Sequence, residues 1–208
     1  MPLKFLLFIF ILLPSLNVFA LRKKGQFQST KIGATQQNYT GSNSASFANG
    51  SPSYGVELSI DAGGNYLRYF FKTRINHSFG SQNFTKAGTT FFSKYDYTAI
   101  EPELGVAFYP IARDEKGLNI YVWGVANISY NYLAINSVPA TVSMESKGQE
   151  FGTGYGAGIG FEYILVATRS GKKILLYSEV GFRDSSAALA GLSVFEISGM
   201  TVSLGLGF

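Results

Sequence analysis

From Phe151 to Tyr163 the sequence alternates with a strict period of two: Phe151, Thr153, Tyr155, Ala157, Ile159, Phe161 and Tyr163 alternate with Gly152, Gly154, Gly156, Gly158, Gly160 and Glu162. Two is the period of an extended strand, so the large residues share one face and the glycines the other. A soluble core strand gains nothing from a row of glycines, because the packed face then has no side chains to pack. A strand that turns its large residues to lipid and an emptied face to the inside of a barrel has a use for both. The last nine residues follow the same rule, with Met200, Val202, Leu204, Leu206 and Phe208 opposite Thr201, Ser203, Gly205 and Gly207.

Six more segments read as strands. Gly25 to about Asn38 is the weakest, with mixed parity around Phe27 and Ile32. Tyr54–Asp61 alternates cleanly and ends on the hairpin turn Ala62-Gly63-Gly64, and Asn65–Phe79 carries Arg68, Lys72 and Arg74 on one face. A strand down to Tyr109 contains Pro102, which predicts a bulge or an unpaired site there. Leu118–Tyr132 and Ile174–Arg183 complete the set. Turn-forming residues predict long polar loops at 39–53, 80–91, 134–150 and 184–195, and short turns at 62–64, 110–117 and 168–173.

Eight strands joined alternately by long loops and short turns form an all-β chain, an eight-stranded antiparallel up-and-down transmembrane β-barrel, with the long loops outside and both termini on the periplasmic side. Tyr54, Phe79, Tyr130, Tyr132, Phe151 and Phe182 then gather at the outer rim, and Phe108, Phe161, Tyr163 and Phe208 at the inner one. Lipid-facing charge costs about 2–4 kcal/mol at midplane. Glu57, Arg68, Lys72, Arg74, Glu101, Glu103, Glu162, Glu179 and Arg183 all fall on the opposite, lumen face, where they form an ion-pair belt or a constriction. Glu101 and Glu103 are expected to neutralise Arg68, Lys72 and Arg74 across the neighbouring strand pair.

Lys4 followed by the apolar run Phe5–Leu13, Pro14 and the small-residue end at Ala20 predicts a cleavable signal peptide over 1–20, leaving 21–208 as one barrel domain. Cysteine is absent, so stability in an oxidising compartment cannot come from disulfides. Without Lys4 the formal charge is +3, and the basic residues are dispersed apart from Arg22-Lys23-Lys24, which argues against a nucleic-acid partner.

The signal peptide, the alternation at 152–163 and the terminal strand ending at Phe208 together resemble the small eight-stranded outer-membrane barrels of the OmpA and OmpX type. The resemblance implies a bacterial outer-membrane location, contact with the lipid bilayer and lipopolysaccharide, a monomer, and Phe208 as a signal read by the barrel-assembly machinery. It leaves the activity open, because such scaffolds host adhesins, structural anchors, narrow pores and lipid-modifying enzymes.

The residues narrow this list. The single histidine, His77, is adjacent to Ser78 and therefore on the opposite strand face, and Phe79 occupies the place where a His-x-Ser nucleophile would stand. No metal site or cofactor is expected, and the glycine row opens no helix, so it is not a nucleotide loop. Tyr121 and Trp123 on the preceding strand are positioned to fill the glycine row. The expected protein is a non-enzymatic barrel with a filled lumen, supporting the envelope or binding an extracellular ligand through its loops. The alternatives are a narrow channel for small solutes and, third, a lipid-modifying enzyme.

Overall fold

The computed structural model describes residues 27–40, 52–86, 88–114, 117–142, 146–167, 173–187 and 195–208. The predicted signal peptide lies outside them. The described residues form β1 (Phe27–Tyr39), β2 (Ser53–Gly63), β3 (Leu67–Lys86), β4 (Thr89–Phe108), β5 (Gly117–Ile135), β6 (Lys147–Ala167), β7 (Lys173–Ala187), β8 (Phe195–Glu196) and β9 (Gly199–Gly207). Every pairing is antiparallel, and β1 pairs with both β2 and β9, so the sheet closes on itself. β8 and β9 hold one register against β7, with Ser186 opposite Glu196 and Arg183 opposite Gly199, and together they make the eighth strand.

The ladder fixes the shape of the barrel. A row of paired residues runs from Phe27 through Gly63, Arg68, Ala107, Trp123, Gly158, Gly181 and Thr201 and returns to β1 at Gln37, ten residues further along. With a rise of about 3.3 Å per residue and strands about 4.8 Å apart, that stagger over eight strands gives a tilt of roughly 40°. The outside is apolar, with Ile32, Val56, Leu104, Ile128, Ile159, Val202 and Leu204 all exposed, and the inside holds the charges. A soluble barrel has the reverse distribution. This is the transmembrane β-barrel that the alternation predicts. The first strand, weakly patterned in sequence, also alternates in the structure: Ser29, Lys31, Thr35 and Gln37 are buried and Ile32, Ala34 and Asn38 exposed.

Loop lengths depart from the sequence reading. The loop expected at 80–91 is a tight hairpin, because β3 continues to Lys86 and β4 begins at Thr89, with Gly88 at φ +81° in the turn. Its Gly, Ser, Asn and Thr residues favour turns locally, but Phe84 and Phe91 are buried and stacked with ring centroids 5.8 Å apart, and this inward contact keeps the strands paired. The 134–150 loop shrinks for the same reason, since Leu133 and Ile135 are buried and β6 already begins at Lys147. At 184–195, β7 extends to Ala187; residues 188–194 and 41–51 lie outside the described residues. Long connections therefore do not alternate strictly with short ones. Instead β3–β6 project: Tyr54 near the top of β2 is opposite His77, and β3 runs on to Lys86. Pro102 produces no bulge; β4 keeps one register against β5 on either side of it, while Glu101 and Pro102 form no pair with β5. The bulge occurs instead on β6, between Ile164 and Val166.

The projecting end contains an apolar plug of Phe84, Phe91, Tyr95, Tyr97, Leu133, Ile135, Val142 and Ile197. Below it lies the charged layer, and among its charges Tyr109, Tyr121 and Trp123 pack with Phe70. The glycine row makes the last packing possible. Tyr121 is paired with Gly160 and Trp123 with Gly158, and a methyl group built on Gly160 would lie 2.1 Å from the Tyr121 ring. We therefore expect Gly160→Val to destabilise the barrel by roughly 1–3 kcal/mol by overpacking, while Ala157→Val, on the lipid face of the same strand, leaves stability unchanged. Urea unfolding in micelles followed by heat-modifiable gel migration measures both.

Candidate functional site

Alternation along each strand turns the same parity inward all round the barrel, so charges far apart in sequence meet in a lumen only wide enough for side chains. All nine residues singled out in the sequence lie there. Glu57, Arg68, Lys72, Arg74, Glu101, Glu103, Glu162, Glu179 and Arg183 are each no more than 5% exposed. The structure adds Lys31, Asp61 and Arg113, equally buried. The described lumen thus holds six cations and six carboxylates.

The pairing follows a different route from the cross-strand neutralisation read from the sequence. Lys72 stands opposite Glu103 and Arg74 opposite Glu101 in the ladder, yet the main contacts cross the barrel. Lys72 reaches Glu179 on β7 and lies 3.6 Å from Glu57. Arg183 grips Glu103 through both terminal nitrogens, while Arg74 binds Glu57 through Nε at 3.1 Å and stands 3.7 Å from Glu103. Glu101 accepts from Asn76 Nδ2 at 2.9 Å. Neither Glu101 nor Glu103 is the partner of Arg68, which binds Asp61 and Glu162. The physical reason is reach: a long side chain can extend past its ladder neighbour to a carboxylate on the far wall, as Lys72 does, while Arg74 and Glu57, ladder partners on β3 and β2, meet directly.

Two clusters result. The upper one joins Lys72, Arg74 and Arg183 to Glu57, Glu101, Glu103 and Glu179. Tyr121 and Tyr177 donate to Glu179 and Glu57 at 2.8 Å each, and Ser203 donates to Glu57 at 3.0 Å. The lower one joins Lys31, Arg68 and Arg113 to Asp61 and Glu162. Glu162 receives Lys31 at 2.6 Å, Arg68 at 2.8 Å and Arg113 at 2.9 Å. Aromatic faces cover the cations: Arg68 lies 4.9 Å from the Tyr109 ring centre, Lys31 5.2 Å from that of Tyr177, and Arg183 5.3 Å from that of Trp123.

The three added residues were legible to different degrees. Asp61 has the inward parity of Glu57, so alternation alone finds it. Lys31 was obscured by the weak pattern of β1. Arg113 lies in the connection after β4 and folds back into the barrel, which no strand periodicity can reveal.

The outward histidine gathers neighbours the sequence did not suggest. His77 Nδ1 lies 3.1 Å from Thr98 Oγ1 and 3.7 Å from Asp96 Oδ1, both on β4. A catalytic relay needs the hydroxyl and the carboxylate on opposite ring nitrogens. Here both face the same nitrogen, so no relay is assembled. Among the described residues no group of three or more acidic or histidine side chains is placed to hold a metal ion. Asp184, placed in a loop by the sequence, is the outward carboxylate of β7, where Tyr155 donates to it at 2.8 Å and Ser198 at 2.5 Å.

Removing one partner of a buried pair leaves the other charge stranded, at a cost of about 3–5 kcal/mol. Arg183→Gln should therefore destabilise the barrel by that order, and adding Glu103→Gln should recover most of the loss. The single tryptophan, Trp123, lies under Arg183, and its fluorescence during urea unfolding reports both variants.

No protein-family model matches the sequence, and no curated protein sequence is similar to it. Solved structures do resemble the fold. The outer membrane protein OprG from Pseudomonas aeruginosa superposes with a TM-score of 0.55 at 13% identity, over 89% of this chain and 96% of OprG. Neisserial surface protein A gives a TM-score of 0.49 at 12% identity, over 88% and 98% of the two chains. A major outer membrane protein from Thermus thermophilus gives 0.49 at 9% identity, over 86% and 98%. The likeness to OprG at this identity is one of fold, and the fold is that of the eight-stranded outer-membrane β-barrels.

Proposed function

We propose that the protein is a non-enzymatic barrel of a bacterial outer membrane that works through its extracellular end, supporting the envelope or binding a ligand there, with a lumen closed to solutes. One observation carries this reading: the lumen is filled along its length. The apolar plug around Tyr97 and Leu133 occupies the upper end, eleven of the twelve charges buried among the described residues the middle, and Tyr109 with the twelfth, Arg113, the lower end. A narrow channel would use Arg68, Lys72, Arg74 and the facing glutamates as its constriction, but these side chains engage one another, and an apolar layer lies above them. The His77 geometry supports the absence of lipid chemistry.

The projection of β3–β6 provides a platform for contact above the membrane, with Phe79 and Phe92 exposed on its outer face at 74% and 69%. In this reading the barrel is a monomer embedded among phospholipid and lipopolysaccharide, exported by the segment 1–20 and assembled by the barrel-assembly machinery. Phe208 contributes to that assembly: its backbone pairs with Thr30 in both directions, at 2.8 and 3.0 Å, and its ring is exposed at the lower rim.

In planar bilayers the purified protein should give no stable single-channel steps; large, sustained steps would replace this reading with the channel. Lipid A mass spectra after overexpression should be unchanged. Deleting Phe208 should lower the amount of heat-modifiable barrel in outer-membrane fractions more than deleting residues 136–142 does.

A further inference from the structure

Between the charged layer and the apolar plug the inward positions turn small. Moving toward the projecting end, the inward residue after Glu57 is Gly55, after Glu101 it is Ala99, and after Arg183 it is Ser185. On β6 the corresponding position is Gly154, which stands opposite Asn127 on one side and Ser185 on the other. A methyl group on Gly55 would collide with Asn76 Oδ1, and one on Gly154 with Ser185 Oγ and Asn127 Oδ1. These polar side chains therefore lie against the wall, over the glycines. Trp123 belongs to the packing below this level and Tyr97 to the plug above it.

Side chains bordering this level engage a neighbour with one end and leave the other end unpartnered. Arg74 binds Glu57 through Nε at 3.1 Å, while its Nη1 and Nη2 have no hydrogen-bond partner among the described residues. Arg183 is the converse: both terminal nitrogens hold Glu103, and Nε is unpartnered. Asn76 donates to Glu101 at 2.9 Å and Asn127 to Ser185 Oγ at 3.5 Å, and the Oδ1 of each is unpartnered. Thr35 Oγ1 and the indole Nε1 of Trp123 complete the set. None of the six residues is more than 6% exposed. They share one neighbourhood. Arg74 and Arg183 both face Glu103 Oε1, Trp123 lies under Arg183, and Asn127 stands opposite Glu103. Thr35 and Asn76 occupy one ladder row with only Gly55 between them.

A buried polar atom without a partner bears the full cost of its desolvation. The unpartnered atoms here are of both kinds, N–H donors on Arg74, Arg183 and Trp123 and oxygen acceptors on Thr35, Asn76 and Asn127. An anion would satisfy the donors alone and would meet Glu57, Glu101 and Glu103. A metal cation would satisfy the acceptors alone and would meet two guanidinium groups. Water donates and accepts at once, carries no charge, and settles where room coincides with several polar partners. We propose that this level of the lumen is a water-binding site, a small cluster held between the free ends of Arg74 and Arg183, the Trp123 indole and the oxygens of Thr35, Asn76 and Asn127. With the plug above and the packed charges below, the bound waters complete the filling of the lumen.

Trp123 is the single tryptophan, so its indole N–H gives one self-assigned resonance in the nitrogen-15-labelled protein in micelles. The water site predicts a dipolar cross-peak from that proton to water in a rotating-frame experiment. It also predicts that Thr35→Val lowers the urea midpoint, because the methyl group breaks a water-mediated bond. Absence of the cross-peak overturns the site, and so does a midpoint raised by Thr35→Val, which is the result for a hydroxyl facing dry space. An indole resonance that shifts and saturates as chloride replaces gluconate at constant ionic strength assigns the level to an anion and overturns water. The site rests on these side chains and not on the closed-lumen reading. A conducting protein that keeps the cross-peak overturns the closed lumen alone, and a non-conducting one without it overturns the water site alone.

Discussion

The constraint on which the rest of this barrel depends is that charge inside a narrow, dry lumen must be matched on the spot. Lipid excludes charge from the outer face and water is scarce within, so an ionised side chain on a strand can only point inward and find a partner there. The described lumen meets this with six cations and six carboxylates, and with tyrosine and serine hydroxyls on the remaining carboxylate oxygens. Matching across the lumen joins strands that are not neighbours in the sheet: Lys31 on β1 reaches Glu162 on β6, and Arg183 on β7 reaches Glu103 on β4. The ladder closes the wall, and the ion pairs brace it from inside.

Bracing requires room, and the glycines supply it. A stagger of ten residues over eight strands leaves an interior that a full set of large side chains would overfill. β6 gives up its inward side chains from 152 to 160, and β5 fills the gained space with Tyr121 and Trp123. Those rings then serve the charges: Tyr121 donates to Glu179 and lies beneath Lys31 and Arg68, and Trp123 supports Arg183. The alternation that fixes the fold class in the sequence is thus the complement of the aromatic residues that shield the belt.

What the sequence made legible follows from this. Strand parity depends only on a period of two, so the nine lumen charges, the outward apolar faces and the glycine–aromatic fit could all be located by alternation. Connection lengths could not, because turn propensity at 80–91 is a local signal and the Phe84–Phe91 stack that overrides it is a contact between strands. Partner choice was equally hidden: the ladder sets Lys72 beside Glu103, but the length of a lysine side chain and the curvature of the wall carry its charge to Glu179. Arg113 obeys no period at all and enters the lumen because two turns are bonded together.

The two ends of the lumen are closed by different physics, and this difference bears on function. Above, closure is hydrophobic and distributed over ten buried residues from β3, β4, β5, the connection after β5, β7 and the segment between β8 and β9, so opening it would require separating strands that are bonded to one another. Below, closure rests on a short connection whose Arg113 reaches Glu162 beside Lys31 and Arg68. Hydrophobic closure of the first kind suits a seal beneath the projecting strands. Closure of the second kind is ionic, and breaking it would leave the buried Glu162 one cation short. A barrel built this way is shut toward one side by packing and toward the other by a matched ionic contact.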